Sequence, residues 1–288
     1  MKNSYKYSAY VLEKYTDMRK GYTTPRFVEE ARYLGIDLKV IGVHDLIIED
    51  EKVYHNNSIL EKRDIVMIRQ KQGHLINQIS ELGHQCFNDP IKVQKYKDKF
   101  SQYKTVYSSF INQPRSVLGH MGFNYKKIVD IAGSPFVVKG LSSSQGKEVY
   151  LVKNEVDYSK LVDLYSENLG EVLFQEFIST NVGNDLRVFV VKGEVIGCMK
   201  RSSKDSFKAN FALGSSVTNY DVDDEIREIV KELYRLTGLF YMGVDLMFGK
   251  NGYIFCELNI TPGIEGIEQA TNVNIAREVM IRIKDVLK

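Results

Sequence analysis

Three oxygen-bearing side chains, Asp245, Glu257 and Asn259, stand within the stretch VDLMFGKNGYIFCELN, residues 244–259. Apolar and polar residues alternate on both sides of its glycine-containing turn, a pattern that predicts two antiparallel strands. The register puts all three side chains on one face, with Asp245 and Glu257 nearly opposite each other. Because directly opposed like charges are destabilising, we expect a compensating charge there, and a divalent cation would supply it.

The donor set favours Mg²⁺. Carboxylate and amide oxygens are hard ligands, and Mg²⁺ takes one or two carboxylates and completes its octahedron with water and phosphate oxygens. A nucleoside triphosphate is therefore the ligand that this pattern indicates. The alternative is a solvated polar face of an antiparallel sheet, which needs no ligand.

A second stretch, GLSSSQGK at residues 140–147, resembles a P-loop. However, five residues instead of four separate its glycines, and a glutamate follows its lysine, so a Walker A site is not expected. The small residues 142–146 join two predicted strands just after Lys139 and could close over phosphates with backbone N–H and hydroxyl donors. An ordinary hairpin loop is the alternative.

The predicted elements that would position these groups differ between the two halves of the sequence. Residues 5–88 alternate between predicted strands and helices, with helices at about 25–34 and 73–82, which is typical of an open α/β layer. One helix is predicted through residues 93–107, where aromatic residues recur at helical spacing and form a packed face. The aromatic residues of that stripe are Tyr96, Phe100, Tyr103 and Tyr107.

The second half of the chain is richer in predicted strands. Hairpins are predicted around residues 192–194 and at 244–259, and helices at about 157–168, 226–238 and 274–287. Changes of pattern near residues 89 and 172 divide the chain into three units, residues 1–88, 89–172 and 173–288.

Composition excludes several classes of protein. The 288 residues carry 39 basic and 37 acidic side chains, so no field of one sign favours nucleic acid or an anionic membrane as a partner. The N-terminus lacks the apolar core of a signal peptide and no apolar run approaches about 20 residues, so a cytoplasmic location is expected. Cys86, Cys198 and Cys256 are predicted to be buried thiols without a metal or redox role.

Several motifs together resemble the ATP-grasp fold, specifically its RimK-like carboxylate–amine ligases, over roughly residues 97–288. The motifs are VVKG (137–140), QEFI (175–178), NDLRVFVV (184–191), GVDLMF (243–248) and ELNITPGIEGIE (257–268). The resemblance implies an α/β (α+β) fold in which an N-terminal open α/β domain precedes two α+β subdomains that clamp ATP.

The resemblance also implies roles for individual residues. The implied nucleotide contacts are Lys99, Lys139, Ser144, Gln145, Gly146, Glu176, Phe177, Ile178, Asp185, Lys208 and Asn210. Among these, residues 176–178 would meet the adenine edge and Asp185 the ribose. Asp245, Glu257 and Asn259 would hold Mg²⁺, or Mn²⁺ in its place, in agreement with the hard-oxygen argument.

The implied reaction joins a carboxylate to an amine. ATP phosphorylates the carboxylate, and the amine then displaces phosphate from the acyl phosphate. Arg187 and Arg201 are the candidate catalytic residues because guanidinium groups match carboxylates and phosphates, although Arg187 could instead be a structural ion-pair partner. The expected substrates are an amino acid or another carboxylate, and an amine that could belong to a peptide, a protein or a metabolite. The sequence leaves open whether the protein forms a homo-oligomer.

Substrate choice is expected to depend on loops near Arg69 and in residues 202–224. The backbone N–H groups near Gly263 and Gly266 could bind an anionic substrate group, or could simply form a turn. The sequence departs from the family pattern in two places. Ser143 and Glu148 stand in or beside the loop that could close over phosphates, where more glycine is expected, and FALGSS follows Asn210, where a basic and glycine-rich run is expected. Both departures affect the expected substrates more than the expected ATP site. The alternatives are a regulatory nucleotide-binding protein without ligase activity and a kinase of the same fold.

Overall fold

The N-terminal part of the chain forms a four-stranded parallel sheet. The computed structural model describes residues 5–14, 21–71, 73–81, 85–142, 148–165, 170–203 and 215–288. The sheet has the order β2-β1-β6-β7, and a small antiparallel sheet, β3-β4-β5, lies beside it. The elements are β1 (Tyr7–Glu13), α1 (Thr23–Tyr33), β2 (Ile36–Gly42), β3 (Leu46–Glu49), β4 (Lys52–His55), β5 (Ser58–Ile59), β6 (Ile65–Ile68), α2 (His74–Glu81) and β7 (Gln85–Phe87). The predicted open α/β layer is confirmed.

The central part forms an antiparallel sheet with the order β10-β9-β11-β8. Its elements are α3 (Pro90–Tyr96), α4 (Lys99–Val106), β8 (Ser116–His120), α5 (Tyr125–Ala132), β9 (Phe136–Gly140), β10 (Val149–Val152), α6 (Glu155–Leu164) and β11 (Glu171–Glu176). Helices α5 and α6 pack on this sheet around Phe136 and Phe174, which are fully buried. The central sheet therefore has a core of its own.

The C-terminal part forms a five-stranded antiparallel sheet with the order β14-β13-β12-β15-β16. Its elements are β12 (Asn184–Val191), β13 (Glu194–Ser202), β14 (Ser216–Asn219), α7 (Asp224–Thr237), β15 (Tyr241–Phe248), β16 (Tyr253–Asn259), α8 (Glu265–Thr271) and α9 (Ile275–Val286). Both predicted hairpins and both predicted helices of this region are confirmed. Helix α7 ends where Gly238 adopts the left-handed conformation, as its position predicts.

The predicted helix over residues 93–107 is wrong, because two helices occupy this segment. Asp98 stands between α3 and α4, and its side chain accepts a hydrogen bond from the Ser101 N–H at 2.7 Å, which caps α4. The aromatic stripe is therefore divided, so that Tyr96 is buried (3% exposed) whereas Tyr107 is 71% exposed. The break places Lys99 in the first turn of α4.

The N-terminal and C-terminal sheets share their hydrophobic cores. Val11 and Phe27 belong to the same buried cluster as Phe189 and Val279, and Leu12 belongs to a second cluster with Val244 of β15. Both faces of the C-terminal sheet thus pack against buried clusters that include residues of the N-terminal sheet. The division into residues 1–88, 89–172 and 173–288 stays a prediction. Within the described part of the chain, no helix has both the length and the apolar composition needed to cross a bilayer.

Candidate functional site

The hairpin β15–β16 carries an irregularity at the predicted metal site. Asp245 pairs with Glu257, but its neighbour Leu246 pairs with Phe255, so Cys256 is an extra residue in β16. Strict alternation along β16 would put Glu257 on the core face with Phe255. Because a bulge shifts the alternation by one residue, Leu258 is buried instead and Glu257 lies on the face of Asp245.

The three predicted metal ligands converge. The Asn259 Nδ2 atom lies 3.3 Å from Asp245 Oδ2 and 3.4 Å from Glu257 Oε1. Rotation of the amide can present its oxygen in place of its nitrogen. Adjacent ligands of an octahedral Mg²⁺ are about 3 Å apart, since each Mg–O bond is about 2.0–2.1 Å. The hard-oxygen donor set and its spacing therefore fit Mg²⁺.

The same set does not resemble a site closed by protein ligands alone. Among the described residues, no group of three His, Cys, Asp or Glu side chains is arranged to hold a metal ion. An ion bound by Asp245, Glu257 and Asn259 would need further oxygens from water or from a bound phosphate, as Mg²⁺ sites in nucleotide-binding proteins do.

Two arginines surround Asp245. Arg187 bonds to the Asp245 carboxylate through Nε and through Nη2, the latter at 2.8 Å, and Arg201 Nη2 lies 3.0 Å from Oδ2. Arg201 also holds Asp185 with bonds of 2.6 and 2.7 Å. Burial opposes ionisation of Asp245, but the two guanidinium charges outweigh it and keep the pKa of Asp245 below its usual value.

These pairs bear on three predicted roles. Arg187 is in contact with Asp245, so it lies at the site in the ion pair that the sequence left as an alternative. Arg201 is 4% exposed and links the predicted ribose residue Asp185 to the predicted metal ligand Asp245. One buried network of four charged side chains from β12, β13 and β15 thus results, and we call it the floor of the site. Its members are Asp185, Arg187, Arg201 and Asp245.

Two lysines approach the same floor from elsewhere in the chain. Lys99, from α4, has its Nζ atom 4.0 Å from Glu257 Oε2. Lys139, from β9, donates from Nζ to Gln175 Oε1 at 2.6 Å and lies 3.9 Å from Cys256 Sγ. Both lysines are only 9% exposed. Burial lowers the pKa of Lys99, and the charge of Glu257 opposes that shift.

A cavity separates the central sheet from the C-terminal sheet at these lysines. Its lining residues are Lys99, Tyr103, Gln113, Pro114, Lys139, Leu173, Gln175, Phe255 and Cys256. The sequence did not single out Gln113, Gln175 or Cys256 as site residues. The Gln113 Oε1 atom is buried and has no hydrogen-bond partner among the described residues. The cavity therefore combines cationic, neutral polar and apolar walls.

The predicted adenine-edge segment lies beside this cavity. Glu176 ends β11, its N–H donates to the Arg115 carbonyl at 2.8 Å, and its carboxylate accepts from Arg115 Nε at 3.0 Å. Phe177 and Ile178 follow directly and lead towards β12. The other predicted contacts, Ser144, Gln145, Gly146, Lys208 and Asn210, lie outside the described residues.

The N-terminal sheet reaches the site through the carboxyl ends of its strands. Glu13 ends β1 and accepts from Arg69 Nε at 2.8 Å, while Arg69 Nη1 donates to the Pro262 carbonyl at 3.2 Å. The Ile264 N–H donates to Thr23 Oγ1 at 3.2 Å. The loop after Asn259 is therefore held by the N-terminal sheet. Lys71 follows Arg69 by two residues. Burial lowers the pKa of Lys71, and the negative charge of Glu257 opposes this shift.

A sequence profile of the RimK-like ATP-grasp domain matches residues 96–283. A protein of Maridesulfovibrio salexigens named probable alpha-L-glutamate ligase is 27% identical over 274 residues, which are 91% of this chain and 91% of that one. A Vibrio vulnificus protein with the same name is 28% identical over 267 residues, covering 88% of this chain and 89% of its own.

Solved structures share the fold. The ATP-grasp ligase PsnB in complex with minimal precursor, Mg and ADP superposes with a TM-score of 0.74 at 17% identity, over 97% of each chain. The D-cycloserine synthetase DcsG gives 0.75 at 14% identity, over 98% of this chain and 100% of its own. The macrocyclase MdnC of Microcystis aeruginosa, bound to its precursor peptide, gives 0.73 at 16% identity, over 96% of this chain and 99% of its own.

Proposed function

The chain belongs to the RimK-like ATP-grasp family, and from that membership we propose that it is an ATP- and Mg²⁺-dependent carboxylate–amine ligase. One observation carries the proposal. Cationic Lys99 and Lys139 line one cavity together with Cys256, and Lys99 Nζ lies 4.0 Å from Glu257 Oε2, which belongs to the oxygen cluster of Asp245, Glu257 and Asn259. Cations opposite a hard-oxygen cluster are the arrangement that a metal-bound polyphosphate requires.

We assign the phosphates to the region between the lysines and the oxygen cluster. Lys99 and Lys139 would bind phosphate oxygens, and the base would lie towards the segment of Glu176, Phe177 and Ile178. Asp245, Glu257 and Asn259 would hold Mg²⁺, which when bound neutralises phosphate charge and orients the transferred group. The side chains that line the cavity, Leu173 and Phe255 among them, would exclude water from the base.

The reaction has two steps whose atoms balance. The substrate carboxylate oxygen attacks the γ-phosphorus of ATP, which breaks the bond to the β-phosphate oxygen and gives an acyl phosphate and ADP. A neutral amine then attacks the acyl carbon, and the amide, phosphate and a proton are released. Because phosphoryl transfer depends on positioning and on neutralising oxygen charge, we assign Lys139 to neutralise phosphate charge, and we assign Arg187 and Arg201, which are paired with Asp245 and Asp185, to position the reacting groups.

The substrates are proposed from the relatives. The curated relatives are named as probable alpha-L-glutamate ligases, and PsnB and MdnC were solved with precursor peptides. We therefore propose an amino acid, with glutamate as the first candidate, as one substrate and a peptide, protein or metabolite as the other. The location that we propose is the cytoplasm, where ATP is available.

The test is product formation. The purified protein is incubated with ATP, Mg²⁺ and pairs of amino acids and peptides, and ADP, phosphate and product masses are measured. We expect ADP and phosphate in equal amounts and a product heavier by one amide-linked residue. A stable phosphorylated product without free phosphate would indicate a kinase, and hydroxylamine would then trap no hydroxamate. No ADP above background with any pair would refute ligation and leave a regulatory role.

A further inference from the structure

A chain of hydrogen bonds runs from Lys139 through the central sheet. Lys139 Nζ donates to Gln175 Oε1 at 2.6 Å, Gln175 Nε2 donates to Ser116 Oγ at 2.9 Å, and Ser116 Oγ donates to the Pro114 carbonyl at 3.0 Å. Lys139 pairs with Leu173 in register, so Gln175 is its diagonal neighbour on the same face, and Ser116 is paired directly with Gln175. The register of β8, β9 and β11 therefore places these side chains in hydrogen-bonding order.

The order of donors and acceptors in this chain has only one solution. The Pro114 carbonyl can only accept, so the single hydroxyl proton of Ser116 is committed to it. The Ser116 oxygen is then free to accept, and the Gln175 amide must turn its NH₂ group towards it. Gln175 consequently presents its carbonyl oxygen to the ammonium group of Lys139.

Gln175 holds this ammonium group without cancelling its charge. Gln175 is buried, 5% exposed, and its amide is neutral. In the described part of the chain, no carboxylate lies within ion-pair distance of Lys139, and its other neighbour is the Cys256 sulfur at 3.9 Å. Lys99, by contrast, has Glu257 at 4.0 Å. A glutamate at position 175 would form an ion pair and remove the charge that a phosphate needs.

We propose that Gln175 is a positioning residue that aims the Lys139 ammonium group into the cavity and preserves its full charge for the nucleotide phosphates. This inference rests on the proposed nucleotide site. It predicts that Gln175 acts only through Lys139 and only on ligands that carry phosphate.

The test compares ADP with adenosine as probes. Binding of each to the full-length protein in Mg²⁺ is measured by calorimetry for the wild type and for Gln175→Glu. We expect at least a tenfold loss of ADP affinity and less than a threefold change for adenosine. The matched control is Gln94→Glu, since Gln94 Oε1 also accepts from a lysine, Lys97 Nζ at 2.8 Å, but on helix α3. The control should bind ADP within twofold of the wild type.

A double-mutant cycle separates positioning from a structural role. Gln175→Met should weaken ADP binding several-fold in the wild type but less than twofold in a Lys139→Met background. If Gln175 variants fold poorly, Ser116→Ala provides a milder perturbation of the same chain, with Ser134→Ala as its control because Ser134 bonds only to the Lys153 carbonyl in the described contacts. Ser116→Ala should weaken ADP binding and leave adenosine binding unchanged.

Several results would overturn the inference. Unchanged ADP affinity in Gln175→Glu would do so, as would equal losses for ADP and adenosine, or an undiminished effect of Gln175→Met in the Lys139→Met background. These results are distinct from failure of the proposed function. In that case the wild type itself would bind no ADP and release none from ATP.

Discussion

Lys99 and Glu257 face each other at 4.0 Å, one from the first turn of α4 and the other from β16. Lys99, which we propose binds a phosphate, thus stands beside Glu257, which we propose binds the metal ion of the same nucleotide. Glu257 and Asp245 differ in how strongly a substitution would disturb the fold. Glu257 keeps 30% of its side chain exposed, whereas the Asp245 side chain is 6% exposed and bonded to two arginines.

Glu257→Gln is therefore predicted to abolish ligation and leave folding intact. The amide keeps the shape of the side chain but removes the charge that would hold Mg²⁺, so ADP binding should lose its dependence on Mg²⁺. Turnover is measured by ADP release, and folding by thermal denaturation. Turnover at the wild-type rate would refute the metal role of Glu257. Asp245→Asn is the contrasting variant, and we expect it to lower both activity and the melting temperature.

Arg201→Met is predicted to destabilise the fold by about 3–5 kcal/mol, because it removes one partner from a buried network, which leaves Asp185 without its guanidinium partner and Asp245 with Arg187 alone. Urea denaturation monitored by circular dichroism measures the free energy of unfolding. The control is Arg235→Met, whose side chain is 68% exposed and paired only with Glu232 in the described contacts; no measurable change is expected. A loss of less than about 1 kcal/mol for Arg201→Met would show that the network is not a major source of stability.

Much of the fold followed from periodicity and from residues with strong local preferences. Gly238 ended α7 at the expected place, and the apolar face of residues 226–233 was buried. The helix over residues 93–107 was predicted wrongly because its aromatic spacing continues through Asp98. The capping bond of Asp98 competes with the helical pattern, and that competition is settled by local hydrogen bonding rather than by the spacing of apolar residues.

The site was predictable only in part. Alternation predicted one face shared by Asp245, Glu257 and Asn259, but the extra residue Cys256, which brings Glu257 opposite Asp245, has no signature in the sequence. Gln175 reaches Lys139 through the register of β9 and β11, and Arg201 reaches Asp245 across β12. Contacts between strands distant in sequence depend on tertiary pairing, which a single sequence does not specify.

Cys256 is predicted to report on nucleotide binding. Its side chain lines the cavity, and burial raises the pKa of its thiol to about 11. At pH 8 its thiolate fraction should therefore be about two orders of magnitude below that of a free cysteine. Alkylation by iodoacetamide should accelerate about tenfold per unit of pH between 8 and 10, because deprotonation increases as the pH rises towards the pKa.

Mg²⁺ and ADP should slow that alkylation of Cys256 at least fivefold, since a bound nucleotide would cover the cavity. Mass spectrometry of peptides measures the modification at each cysteine. Cys86 is the internal control, because burial raises the pKa of its thiol to about 12 and it does not line the cavity. Equal rates at Cys256 with and without nucleotide would place the nucleotide elsewhere.

Arg69→Met is predicted to impair use of the carboxylate and amine substrates more than use of ATP. Arg69 ties Glu13 to the Pro262 carbonyl, and so fixes the loop that directly follows Asn259, a proposed metal ligand. Its loss should raise the KM of the amino acid or peptide substrate at least tenfold and change the KM of ATP less than threefold. Arg63→Met is the control, since Arg63 precedes β6 and pairs with Asp37 near the amino end of β2, whereas Arg69 follows the carboxyl end of β6. If Arg69→Met raised both KM values equally, the N-terminal sheet would support the site as a whole and would not select the second substrate.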